Sequence, residues 1–107
     1  MTKIPVEFEH SDHRRTLKQL FTGDVAQVNL FYAKEGVVLG DHFHKETKEY
    51  FHILRGSVIY NDEQVVSKGQ TFRVDPNERH KIECLSDVVM MTFLSKPYKK
   101  ENPDIHV

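Results

Sequence analysis

Tryptophan is absent, cysteine occurs once, and glycine and proline supply only five and four of the 107 residues. A single thiol, Cys84, excludes an intrachain disulfide, a thiolate zinc ribbon and a CxxC redox pair. Neither sign of charge dominates: 15 Lys and Arg stand against 16 Asp and Glu, a formal net charge of -1 with His neutral. That balance argues against a nucleic-acid partner, which would need a basic footprint. Long apolar runs are also missing. The longest, around Val88 to Leu94, falls far short of the roughly 20 residues of a membrane helix. Met1 to Glu7 carries no apolar stretch of the signal-peptide kind, so no membrane partner and a reducing, cytoplasmic location are expected. What the chain does have is histidine, seven residues of it, in a globular background of 38% hydrophobic and 29% charged residues.

Along the chain, one short helix is expected first. Ser11 or Asp12 would cap it, Leu17, Leu20 and Phe21 would form its apolar stripe, and Gly23 would stop it. From Val25 onward the pattern is β. Strands are expected over Val25 to Ala33, Val37 to His44, Glu49 to Tyr60 with a bend at Gly56, Gln64 to Val66, Gln70 to Val74, Arg79 to Leu85 and Val88 to Leu94. Turn residues separate them, Asn61-Asp62-Glu63 and Ser67-Lys68-Gly69 among them. Short strands at this spacing suggest an all-β sandwich or barrel. The expected organisation is an arm with the helix over 1–24, a barrel over 25–97 and a loose polar tail over 98–107. Several strands are apolar on both faces, as at Tyr50 to Leu54 and Val89 to Met91. A homodimer is the expected cover for the outer faces, with the arm and tail as the alternative.

Two histidines, His42 and His44, lie two apart on an expected strand, so both imidazoles share a face. Glu49 opens the next strand after a four-residue turn, and His80 opens a later one. Three neutral imidazoles and a carboxylate suit one divalent transition metal: Fe, Mn, Ni, Co or Zn. Strand parity then places Val38 and Gly40 inward with His42, Phe51 and Ile53 inward with Glu49, and Ile82 and Cys84 inward with His80. Phe51, Ile53 and Ile82 would floor a dry pocket.

The spacing Gly36, His42-Phe43-His44, Glu49, Gly56 resembles the first sequence motif of the cupin superfamily. A second motif begins at Gly69 and reaches its histidine at His80. Its usual Pro and Gly are replaced by Asp75 and Asn77, with Pro76 between them, and its closing Asn by Cys84. Asn tolerates a left-handed backbone, so the turn can survive at Asn77. The two motifs cover Gly36 to Cys84. The resemblance implies a small antiparallel jelly-roll β-barrel with a metal inside on His42, His44, Glu49 and His80. Cupins include sugar and sugar-phosphate isomerases and epimerases, dioxygenases and non-catalytic binders, so the resemblance names a site before it names a reaction.

The expected function is a metal-dependent enzyme acting on a small oxygenated metabolite such as a sugar or sugar phosphate. An Fe(II) dioxygenase and a non-catalytic small-molecule binder are the alternatives. Tyr32 and Tyr60 stand as possible general acids or as core aromatics. Lys45, Lys48 and Arg79 could greet an anionic ligand, though Glu46, Asp75 and Glu78 share their turns. His52 has the opposite parity to Glu49 and should face away from the site. His10, His13 and His106 are expected to be solvated and idle.

Overall fold

A computed structural model describes residues 1–107 and contains strands but no helix. Eleven strands follow one another: β1 (Thr2–Ile4), β2 (Phe8–Ser11), β3 (Thr16–Gln19), β4 (Gln27–Ala33), β5 (Val38–His42), β6 (Glu49–Arg55), β7 (Ser57–Tyr60), β8 (Gln64–Ser67), β9 (Thr71–Val74), β10 (His80–Cys84) and β11 (Val88–Leu94). A five-stranded sheet runs β1-β9-β6-β11-β4 and a four-stranded sheet runs β5-β10-β7-β8, with β2 and β3 as a separate pair. Every pairing is antiparallel. The two larger sheets close as a small jelly-roll barrel around one core.

Alternation builds that core. Phe51 and Ile53 from β6, Phe72 and Val74 from β9, Ile82 and Cys84 from β10, and Val88 and Met90 from β11 are all buried in one apolar cluster. Phe51 stacks on Phe72, with ring centroids 4.6 Å apart and planes 6° from parallel. Each such side chain, fully buried, contributes about 1.5–3 kcal/mol over its exposed state. Cys84 is a free, buried thiol within this cluster.

The helix expected after Ser11 does not form; Phe8 to Gln19 is a hairpin whose eight paired residues are all exposed. The local signal was real but ambiguous. Asp12 Oδ1 accepts the backbone N–H groups of Arg14 at 2.8 Å and Arg15 at 3.2 Å, as a helix cap would. An Asx turn makes the same bonds, and here it closes a hairpin through Asp12 N–H donating to the Arg15 carbonyl at 2.9 Å. About two turns of helix with three apolar residues have too little packing to compete.

Gly23 is no helix stop but a point of close approach: a Cβ there would lie 2.7 Å from the Tyr50 hydroxyl. The segment around it covers the outer face of β6. Phe21 stacks on Tyr50 at 4.2 Å and meets Phe93 edge-on at 5.0 Å. On that same outer face His52 Nδ1 lies 2.8 Å from Thr71 Oγ1, away from the barrel interior, and burial followed by the Lys18 charge lowers its pKa. The chain's own N-terminal segment therefore covers part of the outer surface that two-faced strands require. Further along, Val28, Leu30 and Tyr32 on β4 remain exposed.

Strand parity holds along β6 and β10 and breaks along β5. Opposite β10, His80 pairs with His42 but Ile82 pairs with Leu39, so β5 carries one extra residue. Gly40, at φ +72°, supplies the left-handed backbone of this bulge. Leu39 therefore packs against the core, and Val38, expected to face inward, is exposed.

Candidate functional site

Three strand ends converge at one mouth of the barrel. His42 ends β5, Glu49 opens β6 and His80 opens β10, while His44 sits two residues past β5. One nitrogen from each of His42, His44 and His80 lies within 4.8 Å of the others. Glu49 Oε1 stands 3.2 Å from His44 Nε2 and 3.9 Å from His80 Nε2. All four residues expected to form the site are thus together. His44 and His80 are buried and His42 is half-buried.

Local structure explains the convergence. The backbone N–H of Asn77 donates to the His44 carbonyl at 2.6 Å, which ties the turn before β10 to the end of β5. Asn77 has φ +67°, the left-handed conformation expected for a residue standing where the motif usually has glycine. The opening of β6 is pinned twice: Lys48 N–H donates to Ser95 Oγ at 2.8 Å, and Ser95 N–H donates to the Lys48 carbonyl at 2.9 Å.

Electrostatics prepares the imidazoles differently. Burial lowers the pKa of His42, and the neighbouring His80 and His44 lower it further. Burial also lowers His80, with Glu49 opposing. For His44 burial is again the largest influence, but the Glu49 and Asp104 hydrogen bonds with the Glu49 charge outweigh it, and the pKa rises. His42 and His80 therefore keep free lone pairs at neutral pH, as a metal ligand must. Three clustered imidazoles with a carboxylate beside two of them, and no Lys or Arg side chain bonded to Glu49, form a donor set that fits a divalent transition metal.

Two cavities of about 240 and 220 Å³ share Phe31, His42 and Glu49 as a common wall. The inner one is lined by Leu39, Phe51, Ile82 and Met90, so its floor is apolar, although Ile53 lies in the core and does not reach it. The outer one adds Gln27, Asn29 and Lys96 from the barrel rim.

A family model described as the Cupin domain matches residues 30–95. The chain belongs to the cupin family. No curated protein sequence matches it. Solved structures similar to this cupin include the capsular polysaccharide assembling protein CapF from Staphylococcus aureus, at 22% identity and a TM-score of 0.66 over 95% of this chain and 32% of that one. This cupin thus spans about a third of CapF. The sugar 3,4-ketoisomerase QdtA from Thermoanaerobacterium thermosaccharolyticum, solved with TDP, is 16% identical with a TM-score of 0.73, over 97% of this chain and 85% of that one. The dTDP-4-dehydrorhamnose 3,5-epimerase from Sulfolobus tokodaii is 16% identical with a TM-score of 0.66, over 87% and 69% of the two chains. At these identities the likeness concerns the fold.

Other residues of the cupin fall away from the site. Tyr32 points outward and is 75% exposed. Tyr60 is buried, but its hydroxyl donates to Glu78, and burial together with that bond pushes its pKa well up. Arg79 pairs with Asp41 at 3.0 Å, and Lys48 lines a separate rim pocket. The cation at the mouth is instead Lys96, 3.4 Å from Glu46, which no sequence pattern singled out. His10 and His13 are exposed as expected. The chain after Pro97 is not a loose tail: Asp104 and Ile105 line the outer cavity, and His106 forms a β-bridge with Phe43. Its attachment is through Asp104, whose contacts are long-range and leave no periodic signal in the sequence.

Proposed function

We propose that this cupin is a metal-dependent enzyme that isomerises or epimerises a small oxygenated metabolite of the sugar or sugar-phosphate class. The observation that carries the reading is the convergence of His42, His44, His80 and Glu49 at the wall of a cavity with an apolar floor. The sugar epimerase and ketoisomerase among the similar structures support the substrate class. His42, His44, Glu49 and His80 would hold one divalent ion. Bound there, it would act as a Lewis acid toward a substrate oxygen. Gln27 and Asn29 offer amide groups to hydroxyls, and Lys96 offers a charge to a phosphate or carboxylate at the mouth. Leu39, Phe51, Ile82 and Met90 keep water from the inner end. Tyr60 is committed to Glu78 and Tyr32 lies outside, so neither moves the proton; Glu49, which lines both cavities, would do so only on leaving the ion.

One observation favours a second reading. Glu49 bonds to His44 Nε2 at 3.2 Å, a His–carboxylate pair able to move a proton without a metal. Incubation of the metal-loaded and the chelator-treated protein with a panel of aldoses, ketoses and their phosphates in D2O, without oxygen, separates the readings. Deuterium incorporation next to a substrate carbonyl by the loaded protein alone is expected. Exchange by both forms favours the His44–Glu49 pair. Turnover that requires oxygen indicates a dioxygenase, and retention of a compound without change indicates a binder.

The working unit is proposed to be a homodimer. An isolated two-stranded hairpin is marginal in water, yet β2–β3 is wholly exposed and carries uncovered Phe8 and Leu17. The edge strand β4 presents Val28, Leu30 and Tyr32, equally uncovered. A second copy related by a two-fold axis can cover both surfaces reciprocally. Sedimentation equilibrium should give about twice the 12.6 kDa chain mass, and Leu30→Asp should return it to one. A wild-type protein that stays at one chain mass at micromolar concentration contradicts the dimer.

A further inference from the structure

Asp104 accepts an unusual number of hydrogen bonds for a side chain in a proline-flanked terminal segment. Its Oδ1 takes the backbone N–H of Lys45 at 2.8 Å, and its Oδ2 takes those of Glu46 and Thr47, each at 2.8 Å. The Thr47 hydroxyl adds a fourth donor at 3.0 Å, and His106 Nε2 lies 3.0 Å from Oδ1. These three successive amides form the loop between His44 and Glu49, so one carboxylate fixes the path of the whole connection. Three amides converging in this way make an anion-binding concavity, which the chain fills with its own carboxylate. Reciprocal bonds between Phe43 and His106, both at 2.9 Å, hold the segment in register beside the loop.

The main chain of the same residue reaches the site. The Asp104 carbonyl oxygen lies 2.6 Å from His44 Nδ1. A carbonyl has no proton to give, so Nδ1 must carry the hydrogen. That commits Nδ1 and leaves Nε2 to face Glu49, with which it shares a proton at 3.2 Å until an ion displaces that proton. Metal-binding histidines commonly have their second nitrogen held in this way.

We propose that Asp104 is a positioning residue for the candidate centre: its carboxylate clasps residues 45–47, and the carbonyl so placed fixes His44 with Nδ1 as donor and Nε2 directed into the cluster. The consequence for metal affinity rests on the functional reading above, but the state of the His44 ring does not.

The test therefore has two readouts. The first is the nitrogen NMR spectrum of His44 in the metal-free full chain. Wild type should show a hydrogen on Nδ1 that exchanges slowly with water. Asp104→Ala should lose that protection and move towards the Nε2–H form. Asp104→Asn keeps one acceptor oxygen and should fall between them, which covers the case in which Asp104→Ala folds poorly. The second readout is Co2+ or Mn2+ affinity by titration, expected to fall about 10- to 100-fold in Asp104→Ala, the usual cost of losing an outer hydrogen-bond partner. An unprotonated Nδ1 in wild type, or variants that melt at lower temperature with the His44 spectrum unchanged, would overturn the proposal. If wild type binds neither ion, the metal reading fails, and the ring signal alone still decides the role of Asp104.

Discussion

His80→Ala is expected to abolish measurable binding of a divalent ion. His80 is 2% exposed and completes a triangle with the other two imidazoles, its ring centroid 4.5 Å from that of His42 and 5.1 Å from that of His44. Losing an outer partner of a metal ligand already costs about 10- to 100-fold in affinity, so losing a ligand itself should exceed that. Stability offers a second view of the same loss. At an ion concentration of roughly 100 times Kd, wild type should gain about 2.7 kcal/mol over its chelated form. His80→Ala should gain almost nothing under the same conditions. Protons compete for the same nitrogens, so wild-type affinity should decline as pH falls through the pKa of His44, which lies above its ordinary 6.5. Equal ion content in the two proteins at neutral pH would refute the ligand assignment.

Phe51→Ala is expected to destabilise the barrel by about 3–5 kcal/mol. The ring is 3% exposed, stacks on Phe72 and meets His80 at a centroid distance of 6.3 Å. It stands two residues from Glu49 on β6, so one strand parity sends the carboxylate to the site and the phenyl ring to the core beneath it. Urea unfolding of the metal-free protein measures the loss without interference from the centre. A change under about 1 kcal/mol would mean that the cavity wall collapses around the deletion and that Phe51 does not hold the two sheets together.

These two residues also mark what the primary structure made legible. The positions of His42, His44, Glu49 and His80 followed from period-2 alternation and from motif spacing, and the strand ends bring all four side chains together. Asn77 was legible too, because few residues other than glycine adopt its φ of +67° without strain. Inward and outward sides were readable along β6 and β10, where pairing is regular at the relevant positions. They were not readable along β5, because the bulge at Gly40 inserts one residue and reverses every side chain before it. The N-terminal hairpin was hidden by a local hydrogen-bond pattern shared between an Asx turn and a helix cap. Asp104 and Lys96 reach the site across roughly half the chain, and no short-range pattern announces such contacts.

Histidine clusters of this kind can persist as hydrogen-bonded groups, and the 3.2 Å contact between Glu49 and His44 is one such bond. The decisive measurement is an anomalous-difference map at the cobalt absorption edge, from crystals of the full chain grown with Co2+. One peak bonded to His42, His44, His80 and Glu49 is the predicted result. A featureless map at that position, with Glu49 still bonded to His44, would contradict it.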